Sequence, residues 1–275
     1  MKVTINAFAD EAGKSLAEQI KAMKANGVSG MEIRGVDGEN ISKISVSKAK
    51  EIKKAMDDNG LYVWSIGSPT GKIKITDPFE PHFEEFKHML ELAHIFSADR
   101  YRLFSFYGCE GGAYKDEVMD KLNRFCDASE GSGVLLCHEN EKDIYGEKAP
   151  ECLEIVKCVP RMGVIFDPAN YVQSGQDTLE AWKLLSPYVT YMHIKDALAD
   201  GRVVPAGKGA GNLAYILGEY IKNGGDQITI EPHLTVFDGF AQLETGKTTR
   251  MDAYTYKSKE EAFAAAVSAA RALIK

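Results

Sequence analysis

The sequence lacks a basic excess, a long apolar run and a paired-cysteine motif, and each absence argues against a class of protein. Its 275 residues carry 33 Lys and Arg against 40 Asp and Glu, which gives a net charge of −7 and a pI of about 5.5. Nucleic-acid binding and electrostatic membrane attachment both depend on clustered basic side chains, so we expect neither a nucleic acid nor a membrane surface as a partner. No stretch approaches the ~18 consecutive apolar residues of a membrane span.

Three further absences bear on the cellular compartment and on organic cofactors. The five cysteines are odd in number and form no Cys-x-x-Cys pair, which is typical of reduced thiols in a cytoplasmic protein. The chain reaches the acidic residues Asp10 and Glu11 too early for a signal-peptide core. No Gly-x-Gly-x-x-Gly follows the first predicted strand, so we expect no dinucleotide and no organic cofactor.

What the sequence does contain is a regular alternation of strand and helix patterns. Short runs rich in aliphatic and β-branched residues predict strands at 3–8, 30–33, 62–66, 101–106, 134–137, 163–166, 189–194 and 227–230. Amphipathic stretches predict two helices that end before Asn26 and Asn59, and six more at 83–95, 116–128, 150–159, 179–185, 213–222 and 259–274. Several strands are apolar without alternation, which is typical of parallel strands buried on both faces.

Eight strands and eight helices in alternation are compatible with a doubly wound sheet or a closed barrel. The count of eight, a length near the barrel norm of about 250 residues, and the missing dinucleotide turn favour the barrel. We therefore predict a single (βα)8 TIM barrel domain over residues 1–275.

Ionisable residues mark the ends of four consecutive predicted strands: Glu139, Asp167, His193 and Glu231. Each has an ordinary structural interpretation as a turn opener, a hydrogen-bonded histidine or a helix cap. Together at one barrel mouth, however, three carboxylates and an imidazole would repel one another unless a cation neutralised them. Three oxygen donors and one nitrogen suit Mn²⁺ best, with Mg²⁺, Co²⁺ and Zn²⁺ as alternatives.

These strand ends resemble those of the xylose isomerase-like barrels, a superfamily of sugar phosphate isomerases and epimerases. The resemblance is carried by Glu139-Asn140, Asp167-Pro168, His193-x-Lys195-Asp196, the Gly-Lys-Gly of 207–209 and Glu231-Pro232. It implies a single metal site formed by Glu139, Asp167, His193 and Glu231, with Glu139 and Glu231 also acting as the acid–base pair. The implied reaction is isomerisation or epimerisation of a small sugar, keto-polyol or sugar phosphate. It would proceed by removal of an α-proton through a metal-stabilised enediolate.

Two positions depart from the ketose 3-epimerases of that superfamily. Asn170 stands where those enzymes have a histidine, and Tyr145 stands where they have a further glutamate. Both can still hydrogen-bond a polyol, so we predict substrate contacts from Tyr145 and Asn170, and also from Gly67 and Lys195. For Lys195, a structural ion pair with Asp196 is an equal alternative.

The sequence is also compatible with other functions. A keto-polyol dehydratase of the inosose type would use the same metal and the same proton abstraction, and a barrel that binds carbohydrate without turnover would need no intact metal site. A DNA-repair endonuclease on this fold is disfavoured by the six histidines and the net charge of −7. The segment 238–256 is a candidate lid, or a contact within a homo-oligomer.

Overall fold

A computed structural model describes residues 3–109, 112–237 and 249–274 of the chain. Within them, eight parallel strands close into a barrel in sequence order, with the first strand beside the last. The strands are β1 Thr4–Ala7, β2 Gly30–Ile33, β3 Tyr62–Ile66, β4 Arg100–Leu103, β5 Leu135–Glu139, β6 Gly163–Phe166, β7 Val189–Ile194 and β8 Gln227–Ile230. The predicted (βα)8 barrel is confirmed.

Nine α-helices lie in the described ranges, one more than the sequence predicts. They are α1 Leu16–Ala25, α2 Val46–Asp58, α3 Phe79–Phe96, α4 Lys115–Ala128, α5 Ala149–Cys158, α6 Pro168–Gln173, α7 Thr178–Leu185, α8 Leu213–Lys222 and α9 Lys259–Leu273. The additional helix is α6, which has Pro168 in its first turn and Asp167 as its N-cap. The Asp-Pro sequence therefore begins a helix directly at a strand end, because proline fits the first helical turn and aspartate caps it.

The fourth strand is shorter than its apolar run. The pattern extends to Phe106, but the chain leaves the sheet after Leu103, where Phe104 N donates to Thr70 O at 2.8 Å. Phe106 has a φ of 66° and its ring stacks on Phe125 of α4 at 6.4 Å. Phe106 thus fills the layer between the barrel and α4.

The barrel interior is divided into an apolar and a charged layer. Trp64, Cys137, Ile165 and Tyr191 form an apolar cluster, and Trp64 Nε1 donates across the barrel to Thr229 Oγ1 at 3.2 Å. Towards the carboxyl ends of the strands, the interior holds the buried charged side chains of Glu32, Arg102, Glu139 and His193. This is the end at which TIM barrels carry their active sites.

None of the helices in these three ranges combines the length and apolar character needed to cross a bilayer. Residues 238–248 lie outside the described part of the chain, so the lid or oligomer contact expected of 238–256 stays a prediction.

Candidate metal centre

The four residues singled out at the strand ends lie together in the structure. Glu139 ends β5, His193 lies in β7, and Asp167 and Glu231 directly follow β6 and β8. Each offers one ligand atom within 4.8 Å of the others, and all four side chains are buried. They converge because neighbouring parallel strands deliver their carboxyl ends to one rim of the barrel.

His193 lies between three carboxylates. Its Nδ1 is 2.8 Å from Glu139 Oε1 and 3.8 Å from Glu231 Oε2, and its Nε2 is 3.2 Å from Glu32 Oε2. Burial alone would lower the pKa of His193, but Glu139 and Glu32 raise it to about 10. The ring therefore carries a proton on both nitrogens unless another cation takes the place of one of them.

Asp167 uses its two oxygens differently. Oδ1 accepts the backbone N–H of Asn170 at 3.0 Å, which caps α6. Oδ2 is buried and accepts no hydrogen bond of good geometry from the described residues, although Lys195 Nζ lies 3.0 Å away. Burial raises the pKa of Asp167 to about 7, with Lys195 opposing and Glu231 adding to the shift. A buried carboxylate oxygen that accepts no well-formed hydrogen bond is well suited to bind a metal ion.

Buried lysine and arginine side chains stabilise the other carboxylates of the cluster. Glu231 Oε2 is 2.7 Å from Lys195 Nζ and its Oε1 is 3.2 Å from Arg34 Nη1, while Glu139 Oε2 is 3.2 Å from Arg102 Nη1. Despite burial, Lys195 and its neighbouring cations hold the pKa of Glu231 well below its ordinary value. Glu231 is therefore ionised at neutral pH and available as a base.

Arg34 also organises a second acidic group beside the first. Glu11, Glu231 and His233 offer a further set of ligand atoms within 4.8 Å of one another. The Arg34 guanidinium contacts Glu11 at 3.0 Å, Glu231 at 3.2 Å and Asp10 at 2.9 Å. Since this guanidinium already supplies positive charge between Glu11 and Glu231, the second group needs no metal.

A cleft adjoins these residues. Its lining includes Arg34, Lys72, Arg102, Glu139, Glu141, Asn170, Lys195, Glu231, His233 and Thr249. Two of the predicted substrate contacts, Asn170 and Lys195, are thus at the cleft. Asn170 is held there by Asn140, whose backbone oxygen accepts its Nδ2 at 2.8 Å.

The other two predicted substrate contacts, Tyr145 and Gly67, are not among the residues that line this cleft and stay predictions. The Tyr145 hydroxyl donates to Glu154 on α5 at 2.6 Å. The Gly67 carbonyl accepts from Arg102 Nη2 at 3.1 Å. A Cβ at Gly67 would lie 2.7 Å from Phe8 Cε1, so the missing side chain makes room for a core ring.

Lys195 does not form the ion pair with Asp196 that the sequence left open. The Asp196 carboxylate instead accepts the backbone N–H groups of Ala197, Gly207, Gly209 and Gly211 at 2.9–3.0 Å. It therefore holds the loop after β7 in place, while Lys195 faces Asp167 and Glu231.

Sequence reasoning missed Arg102, Glu11 and Glu141. Arg102 lies in β4 and is 4% exposed. A charge inside an otherwise apolar parallel strand requires a buried partner, and that signal was available in the sequence. Glu141 lines the cleft and pairs with Lys72 at 3.1 Å. No local pattern distinguishes Glu141 or Glu11 from an exposed loop residue.

Comparison with known proteins gives a family. Residues 20–233 match the family described as xylose isomerase-like TIM barrel. A curated relative is the 3-dehydroshikimate dehydratase of Bacillus anthracis, 21% identical over 189 residues, which are 66% of this chain and 66% of the relative.

Solved structures agree in fold. The IOLI protein with a bound zinc atom superposes with a TM-score of 0.76 at 16% identity, over 100% of this chain and 98% of that one. The D-psicose 3-epimerase of Clostridium cellulolyticum H10 with D-tagatose gives a TM-score of 0.71 at 14% identity, over 99% of both chains. At such identities the likeness establishes the fold alone.

Proposed function

The chain belongs to the xylose isomerase-like TIM barrel family, and on this basis we propose that it is a divalent-metal-dependent isomerase or epimerase of a small sugar, keto-polyol or sugar phosphate. The observation that carries the proposal is the convergence of Glu139, Asp167, His193 and Glu231 within 4.8 Å, at a cleft that Glu139 and Glu231 line.

Glu139, Asp167, His193 and Glu231 would hold the metal. Their donor set of three carboxylates and one imidazole fits Mn²⁺, with Mg²⁺, Co²⁺ and Zn²⁺ as alternatives. The buried Asp167 Oδ2, which accepts no well-formed hydrogen bond from the described residues, supports a metal ion at this position. Bound there, such an ion would supply Lewis-acid stabilisation of negative charge that develops on a substrate carbonyl.

The side chains of the chain itself supply the proton transfers. Glu231 is ionised and faces the cleft, so it can remove a proton from the carbon next to a carbonyl. Glu139 contacts the same His193 Nδ1 as Glu231. In its protonated form it returns a proton to invert the centre, or Glu231 delivers the abstracted proton to the neighbouring carbon to isomerise. Lys195 and Asn170 line the cleft and donate to substrate oxygens.

A second candidate is dehydration of a keto-polyol, which the similarity to a 3-dehydroshikimate dehydratase favours. The first step is the same abstraction of an α-proton by a carboxylate. A β-hydroxyl then leaves as water, taking its proton from the carboxyl group that accepted the α-proton, and a carbon–carbon double bond forms. The product therefore distinguishes the two reactions.

The test is deuterium exchange. Mn²⁺-loaded protein is incubated in D₂O with a panel of ketoses, keto-polyols and their phosphates and followed by NMR. We expect exchange at the carbon next to the carbonyl, its loss in Glu231→Gln, and its persistence in the control Glu80→Gln on the outer face of α3. The product identifies epimerisation, isomerisation or dehydration. Absence of exchange across the panel, in protein verified to hold the metal, would contradict the proposal and favour a carbohydrate-binding barrel.

A further inference from the structure

Glu32 is a buried carboxylate that the proposed reaction does not use. It lies in β2 and is 0% exposed. Both of its oxygens are engaged by β7: Oε1 accepts the Tyr191 hydroxyl at 3.0 Å, and Oε2 is 3.2 Å from His193 Nε2. Tyr191 and His193 are two residues apart, so they point to the same face of their strand and reach Glu32 together.

The two nitrogens of the His193 ring face different partners. Nδ1 faces Glu139 Oε1 and Glu231 Oε2, at 2.8 and 3.8 Å, whereas Nε2 faces only Glu32 among its ion-pair partners in the described part of the chain. Phe8 packs edge-on against the ring with centroids 5.2 Å apart, and Tyr191 does so at 5.6 Å. These contacts pack the ring on two sides and favour this orientation of its two nitrogens.

A histidine binds a metal only through a nitrogen that carries no proton. An acceptor beside one nitrogen keeps the proton there and leaves the lone pair of the other nitrogen for the metal. In this protein the acceptor is Glu32 and the nitrogen left for a metal is Nδ1.

We propose that Glu32 is a positioning residue of the metal centre, which holds the proton on His193 Nε2 so that Nδ1 faces the metal, and that Tyr191 holds Glu32 in place. The proposal rests on the proposed function, since it assumes a metal bound by the four clustered residues. It assigns no contact between Glu32 and the substrate. Its consequences therefore fall on metal affinity and on the state of the imidazole.

Metal titration tests the first consequence. Glu32→Gln keeps the size of the side chain but removes the charged acceptor, and partners of this kind are worth about 10–100-fold in metal affinity. We expect Co²⁺ to bind Glu32→Gln at least ~10-fold more weakly than wild type, with a changed visible absorption spectrum of the bound ion. The control is Glu80→Gln, because Glu80 pairs with Arg124 on the outer face of α3, away from the clustered residues. It should keep the wild-type affinity and spectrum.

Nitrogen NMR of wild-type protein loaded with Zn²⁺ tests the second consequence without any variant. We expect the His193 proton on Nε2 and the shift of a metal-bound nitrogen at Nδ1. The reverse assignment would overturn the proposal, as would a Glu32→Gln variant with wild-type affinity and spectrum, or an equal loss in Glu80→Gln. If wild-type protein took up neither ion, the proposed metal chemistry itself would fail. Uptake with an unaffected Glu32→Gln refutes the positioning role alone.

Discussion

Replacement of Arg34 by methionine tests how the charged layer of the barrel is stabilised. The guanidinium is 2% exposed and contacts Asp10, Glu11 and Glu231 at 2.9, 3.0 and 3.2 Å. Methionine preserves much of the apolar contact with the Phe8 ring, which lies 4.4 Å below the guanidinium carbon. It leaves the three carboxylates without their shared cation.

The size of the loss follows from the burial. Removing one partner from a buried ion pair costs about 3–5 kcal/mol, because the remaining charge stays desolvated. With an unfolding entropy of about 2.1 cal/mol/K per residue over 275 residues, that cost lowers Tm by about 5–9 °C. Solvent and salt screen such a site weakly, so the loss should persist in ~0.5 M KCl.

The assay is thermal unfolding followed by circular dichroism. The matched control is Arg124→Met, since Arg124 is 39% exposed and pairs with Glu80 at 2.8 Å on the outer surface; we expect its Tm within about 2 °C of wild type. Arg34→Lys should fall between wild type and Arg34→Met, because lysine keeps the charge but lacks the planar guanidinium fork that contacts Asp10 through two nitrogens. A Tm loss in Arg34→Met no larger than that of Arg124→Met would refute the reasoning.

Three further predictions concern metal, backbone and pH. Adding Mn²⁺ at about 100 times its Kd to chelated protein should stabilise it by about 2.7 kcal/mol and raise Tm by about 4–5 °C; an unchanged Tm would contradict the metal site. Gly71→Ala should cost about 2–4 kcal/mol in urea unfolding, because a Cβ would lie 2.1 Å from Phe104 O at a φ of +88°. Gly60→Ala, at a φ of +69° with nothing within 4 Å, should cost only about 1–2 kcal/mol, and equal losses would contradict the crowding argument. Burial lowers the pKa of His82 below its ordinary 6.5, against the opposing effect of Glu85, so the unfolded chain takes up the proton first. Neutral His82 accepts the Gly71 N–H at 2.8 Å, and its contribution to stability is full above pH 6.5 and is lost as the pH falls towards the lower pKa of the folded state. Wild type should therefore lose Tm faster than His82→Gln between about pH 7 and 5. Parallel plots of Tm against pH for the two proteins would contradict this prediction.

The strands and helices were predictable because local patterns determine them. The run 163–166 and the helix that ends before Asn26 have their periodicity and boundary residues within a few positions. The convergence at the rim followed from topology, since parallel barrel strands present their carboxyl ends together. The capping of α9 by Ser258 was also local, and Glu261 N donates to its hydroxyl at 3.2 Å.

The pairing of buried charges was not predictable, because it joins distant parts of the chain. Arg34 meets Glu231 across 197 residues, and Glu32 meets His193 across 161. A single sequence records that Glu32 and Arg34 are charged and flank a strand end, but not which partners compensate them. Likewise, the apolar run to Phe106 looked like strand, since burial in the barrel and burial beneath α4 select the same residue types.

The pairing of β1 with β8 has a consequence for biosynthesis. Thr4 aligns with Gln227 and Ala7 with Ile230, so one edge of the first strand has no partner until the last barrel strand has been made. At about 5–20 residues per second, that delay is about 10–45 s. During it, an open sheet edge is available for wrong pairing, and Arg34 has not yet met Glu231. Closure of the barrel therefore completes the sheet and the charged layer in the same late event.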